Sequence, residues 1–172
     1  HRISDRAYEQ LTGIPGAFST RLLYVVAQNI ATEAETFRLE MADADGANAQ
    51  TLLKSREPIL SASWSPDGQT VVYVSFETGK PAIYLQEIAT GRREKLTDFE
   101  GLNGSPVFSP DGKQLALVLS AGGNPDIFVR DLETRKLRQL TRHFAIATEP
   151  DWTSNGEAVV FNSKPGGGPQ VY

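Results

Sequence analysis

Apolar residues along this chain come in short runs rather than in the broad stripes of amphipathic helices. The runs "RLLYVVAQ" (21–28), "TVVYVSF" (70–76), "QLALVLS" (114–120) and "EAVVFNS" (157–163) are dense in β-branched, leucine and aromatic side chains and are bounded by turn-formers. Runs of that length predict β-strands, and their near-continuous apolar character predicts strands covered on both faces. Three of them belong to one recurring word: "SASWSPDGQTVVYVS" at 61–75, "GSPVFSPDGKQLALVLS" at 104–120 and "EPDWTSNGEAVVFNS" at 149–163. The turn glycines Gly68, Gly112 and Gly156 stand 44 residues apart. In such a turn Gly supplies a positive φ, Pro fixes the entry, and Asp accepts from the backbone two residues on.

The period reaches well beyond the turn. Pro81, Pro125 and Pro169 follow Gly79, Gly123 and Gly167 at the same interval; Tyr84, Phe128 and Tyr172 share a strand position; Thr97 matches Thr141, and Pro106 matches Pro150. Written from residue 106, one period reads as a short strand through Phe108, the turn Ser109–Gly112, a strand from Gln114 to Ser120, then "DIFVRDL" and "LRQLT". Repeats of about 40–50 residues with four strands each are the blades of a β-propeller. The predicted fold is all-β: a propeller with four-stranded blades, about three and a half of them present, preceded by a short helix.

The expected divisions are an incomplete first blade at 20–60, blades at 61–104 and 105–148, and a truncated blade at 149–172. Trp64, Phe108 and Trp152 share one repeat position and predict blade-to-blade packing. The charged segments "RREK" (92–95) and "RKLR" (135–138) predict solvated outer strands that resist edge-to-edge pairing. The first period lacks an inner strand, and the sequence stops at Tyr172 before a fourth one. A fragment of a larger ring, poorly stable by itself, is therefore expected.

Composition narrows the function classes. With 172 residues and 40% hydrophobic content the chain can bury a core. A net charge of -4 and a pI near 5.2 argue against nucleic acid as a partner, because phosphate binding calls for clustered Lys and Arg. No apolar run approaches the roughly 18 residues of a spanning helix, so no membrane insertion is expected, and any signal peptide is expected to be removed or absent. The absence of cysteine excludes thiolate metal sites, disulfides and a Cys nucleophile within the sequence.

The motifs that suggest chemistry fail on spacing. "DADG" at 43–46 resembles part of a calcium loop, but Met41 and Leu52 stand where ligands belong, so it predicts a hairpin turn. "KPGGGPQ" at 164–170 lacks the Lys-Ser/Thr of a phosphate loop, no G-x-S-x-G elbow occurs, and His1 and His143 are the sole histidines. A metal in the propeller channel would need converging ligands, yet of the equivalent positions Ser63, Val107 and Asp151 only the last is acidic. No catalytic residue, metal or cofactor is expected. What remains is the set of loops entering each inner strand: "SREPILSA" (55–62), "DFEGLNGSP" (98–106) and "RHFAIATEP" (142–150). Repeat symmetry puts them on one rim around the channel mouth, with Leu102, Asn103, Ser105, Ile146, Thr148 and Glu149 expected to be exposed there.

The first 26 residues, "HRISDRAYEQLTGIPGAFSTRLLYVV", and the "WSPDG" and "FSPDG" words resemble the TolB family of Tol-Pal systems in Gram-negative bacteria. On its own terms the opening segment predicts a helix capped by Ser4, with Ile3, Ala7, Tyr8 and Leu11 on one face and Gly13 and Pro15 ending it. The resemblance implies that residues 1–19 are the end of a small α/β domain and a linker, leading into a six-bladed propeller. It implies a non-catalytic adaptor in the periplasm that binds the peptidoglycan-associated lipoprotein Pal at the propeller mouth, through Leu102, Asn103, Gly104, Ser105, Thr148 and Glu149. It further implies contact with TolA through an N-terminal segment outside this sequence, colicin translocation peptides at the same mouth, and a role in outer-membrane integrity and cell division. In that setting Leu102 suits an apolar anchor and Glu149 a charge-assisted hydrogen bond. The repeat word also occurs in propellers of prolyl-oligopeptidase-class serine peptidases, so a substrate-gating propeller is the alternative.

Overall fold

The computed structural model describes residues 2–120, 123–142, 145–164 and 168–172. Gly167 of the repeat reading, and the two histidines His1 and His143, lie outside the described residues. Among the described residues, helix α1 (Arg2–Thr12) leads into fourteen strands: β1 (Arg21–Gln28), β2 (Thr36–Asp43), β3 (Gln50–Ser55), β4 (Ile59–Trp64), β5 (Thr70–Ser75), β6 (Ala82–Glu87), β7 (Arg93–Thr97), β8 (Asn103–Phe108), β9 (Gln114–Leu119), β10 (Asp126–Asp131), β11 (Leu137–Gln139), β12 (Ala147–Trp152), β13 (Val159–Ser163) and β14 (Gln170–Val171). They form four antiparallel sheets in chain order: β1–β2–β3, β4–β5–β6–β7, β8–β9–β10–β11 and β12–β13–β14. The expected four-stranded blades are present, and β4, β8 and β12 lie side by side as the inner strands. Each inner strand starts two residues ahead of the division expected from the repeat, at Ile59, Asn103 and Ala147.

Packing follows the strand pattern. Val71–Ser75 and Leu115–Leu119 are wholly buried, because both faces of these second strands are covered by neighbouring sheets. Two main clusters join the sheets. Leu39, Ile59, Val71, Tyr73 and Tyr84 tie the first sheet to the second, and Val72, Ile83, Phe108, Leu115 and Leu117 tie the second to the third. Each fully buried leucine or isoleucine among them contributes on the order of 1.5–3 kcal/mol. Phe108 is buried in this way, and the Trp152 indole reaches back to donate to the Val107 carbonyl at 3.3 Å.

The turn chemistry repeats in detail. Asp67, Asp111 and Asn155 each accept through Oδ1 from the N–H two residues on, at 3.0, 3.0 and 3.2 Å. Ser65, Ser109 and Thr153 hydroxyls donate to the same three oxygens. Gly68, Gly112 and Gly156 adopt φ of 66°, 72° and 72° and donate to the carbonyls three residues back. The "DADG" segment is likewise a hairpin turn, with Gly46 N–H donating to Asp43 O at 2.8 Å.

Two local expectations change. Helix α1 already includes Arg2 and Ile3, so Ser4 sits inside its first turn rather than at the cap. The helix is instead tied down by Asp5, whose carboxylate accepts from the Phe18 and Ser19 N–H groups and the Ser19 hydroxyl. Outer strand β7 is not uniformly solvated either. Glu94 and Lys95 are exposed, but Arg93 folds inward over the rings of Tyr73 and Tyr84, 5.7 and 4.6 Å from their centroids.

Candidate functional site at the mouth of the sheets

The loops that enter β4, β8 and β12 share one end of the sheets with the β5–β6 and β9–β10 connections. Phe76 N–H donates to Pro58 O, Ser120 N–H to Leu102 O, and Ala147 N–H to Pro125 O. The "PDG" turns occupy the opposite end, where Ile88 and Leu132 N–H groups bond Gln69 and Lys113 carbonyls. The mouth end therefore has a double row of loops stitched by backbone hydrogen bonds, a rigid support for side chains that point outward.

Each inner strand carries the same bulge beside these loops. Ser61 and Ala62 oppose the one residue Tyr73, Ser105 and Pro106 oppose Leu117, and Glu149 and Pro150 oppose Phe161. The first residue of each pair is left-handed, with φ of 50°, 45° and 52°. A non-glycine residue held there costs about 1–2 kcal/mol, and such strain persists where the surroundings over-determine it. Ala62 stands where the other two repeats have Pro, and the bulge forms regardless.

The six residues expected at the rim divide into three kinds. Leu102 is 39% exposed, and Glu149 is exposed with its carboxylate accepting from Asn162 Nδ2. Ser105 and Thr148 are half-buried on the bulged strands, and Gly104 is buried beneath the Leu102 side chain. Asn103 departs from expectation. It is 0% exposed, its Oδ1 accepting from Phe99 N–H at 3.1 Å while Nδ2 donates to Phe99 O at 2.7 Å. It faces inward because the 99–101 turn has backbone groups that no strand satisfies, and the amide of Asn103 pairs with them. Ile146, 54% exposed, joins Leu102 at the matching position of the next repeat. Leu60, 49% exposed, and Phe99 widen the apolar rim. Neither was singled out from sequence; Leu60 could have been, since it shares its repeat position with Gly104 and Thr148.

Antiparallel sheets of up to four strands with their inner strands side by side, and one end built of exposed loop residues on a kinked backbone, define a partial β-propeller scaffold. The chain belongs to the TolB beta propeller domain family, whose profile matches residues 8–172. The crystal structure of TolB from Acinetobacter baumannii superposes with a TM-score of 0.92 at 51% identity, covering 100% of this chain and 43% of that one. A putative TolB from Agrobacterium tumefaciens gives 0.71 at 25% identity, over 83% of this chain and 50% of that one. The Tol-Pal system protein TolB of Pseudomonas fluorescens strain SBW25 is 58% identical over 106 residues, 62% of this chain and 24% of the relative. The chain thus spans about a quarter of the length of the curated relatives it matches.

Proposed function

We propose that this chain is the recognition part of a non-catalytic periplasmic adaptor of the Tol-Pal system, and that its mouth docks the peptidoglycan-associated lipoprotein Pal. The observation that carries the reading is the cluster of Leu102, Ile146, Thr148 and Glu149 on one rigid rim, in a chain of the TolB propeller family. Leu102, with Ile146 and Leu60, supplies apolar area. Gly104 underlies the Leu102 side chain and supports it, Ser105 and Thr148 offer hydroxyls, and Glu149 accepts from a partner Lys, Arg or N–H. Asn103 contributes by holding the 99–101 turn. An interface of ordinary size, about 800 Å² per side, suits such a rim. Contact with TolA through a segment preceding residue 1, colicin peptides at the same mouth, and support of the outer membrane during division belong to the same reading. So does the proposed unit division, with residues 1–19 leading from an α/β domain into the blades.

Calorimetric titration of the full-length protein with the soluble domain of its Pal partner tests this. Saturable binding is expected, weakened by more than about 1 kcal/mol in Glu149→Ala. Absence of binding by the wild type removes the adaptor reading in favour of a substrate-gating propeller.

A further inference from the structure

One charged network, running from the buried Tyr73 to the surface at Glu77, is not repeated at the matching positions of the next sheet. The Tyr73 hydroxyl donates to Gln86 Oε1 at 2.9 Å and accepts from Arg93 Nε at 2.7 Å, and Gln86 Nε2 donates to Leu52 O in the first sheet at 2.9 Å. Arg93 Nη2 then pairs with Glu77 Oε2 at 2.7 Å. Tyr73 is wholly buried, and Tyr84, stacked on it at 6.1 Å, is nearly so. The repeat supplies its own control. The positions matching Tyr73, Tyr84, Gln86 and Arg93 one period later are Leu117, Phe128, Arg130 and Leu137. A propeller blade of this family thus packs without the network, so the network is extra to blade formation.

Glu77 belongs to the β5–β6 loop at the mouth end, and that loop touches two rim loops at once. Phe76 N–H holds Pro58 O at 3.1 Å, two residues before Leu60, while Lys80 Nζ meets Glu100 at 3.3 Å, two residues before Leu102. Glu100 is exposed and Lys80 only half-buried, so that ion pair by itself is worth little. Its geometry depends on loop 76–80 being fixed from below, and the Arg93–Glu77 pair, half-buried and backed by two aromatic rings, provides such an anchor.

We propose that Arg93 is a positioning residue for partner docking: through Glu77 it fixes the loop that spaces Leu60 from Leu102 across the mouth. This rests on the rim being a docking surface. It touches no partner itself, lying on the outer strand β7, and acts by presetting the distance between two apolar anchors.

The test is a double-mutant cycle in the full-length protein with Arg93→Leu, Glu77→Gln and the pair, each titrated with the soluble Pal domain and each followed free by amide hydrogen exchange. Leucine at 93 is the residue the next repeat tolerates at Leu137. Each single variant is expected to weaken binding about threefold or more, the pair no more than either alone, with faster exchange at 76–80 and 99–102 in the free protein. A purely structural role would lower the melting temperature and leave the affinity of the folded fraction unchanged. Affinity losses below about threefold, or additive losses, overturn the proposal. If Arg93→Leu does not fold, Glu77→Gln alone decides by the same threshold. If the wild type does not bind, the docking reading has failed separately, and unchanged exchange at the two loops overturns the positioning.

Discussion

At the scale of single residues, neighbours at one loop–strand junction have opposite duties. Leu102 projects outward while Asn103, beside it, is sealed in and satisfies both backbone groups of Phe99. Asn103→Ala is expected to destabilise the protein by about 2–3 kcal/mol, since it strands buried polar groups, whereas Leu102→Ala is expected to stay within about 0.5 kcal/mol of wild type. Urea unfolding of the two variants checks this, and similar midpoints would refute the division of labour. The sequence located this loop through its place in the repeat, but a loop side chain's direction depends on which nearby carbonyls lack partners, and that is tertiary information. The left-handed backbone at Ser61, Ser105 and Glu149 was equally hidden, because neither Ser nor Glu favours that region.

At the scale of elements, the turns and second strands were legible because their signals are local. A Ser-Pro-Asp-Gly turn carries its own hydrogen bonds, and an apolar run between two such turns has few other options. Outer strands were read less well. Arg93 looked like part of a solvated edge, and only the tyrosines it meets on β5 and β6 show otherwise. Burial pushes the Tyr73 hydroxyl up to about 12, so it stays a neutral donor throughout the working range. The turn carboxylates behave in the opposite sense. Hydrogen bonds from Ser65 and the Gln69 N–H hold Asp67 below the usual carboxylate value, and Ser109 and the Lys113 N–H do the same for Asp111. A depressed folded value means that the unfolded chain takes up protons first. The turns' contribution is full above the unfolded value near 4 and is lost as pH falls through the lower folded one. Asp67→Asn with Asp111→Asn keeps the accepting Oδ1, as Asn155 does naturally, and removes the titration. The double variant is expected to lose less stability than wild type between pH 5 and pH 3. Parallel acid limbs in denaturant midpoints would count against it.

At the scale of the whole molecule, the sheets depend on company. All eight residues of β1 pair with β2, and among the described residues its other edge faces no strand, although β4, β8 and β12 fill that place in the other sheets. A repeat in sequence says which units are neighbours, but not what occupies an edge. Expressed as these 172 residues, the chain is expected to self-associate with rising concentration, and Leu22→Lys on β1, at a half-exposed position, to reduce it. Sedimentation velocity showing a monomer at every concentration would sink that expectation. The repeated kink in the inner strands has a longer reach. One backbone bend recurs in the three inner strands among the described residues, carrying serine at Ser61 and Ser105 and a carboxylate at Glu149, so sockets of one shape accept different plugs. Shape is inherited from the common frame and chemistry is set position by position. One of these plugs can therefore be exchanged at a time without rebuilding the frame that holds the others.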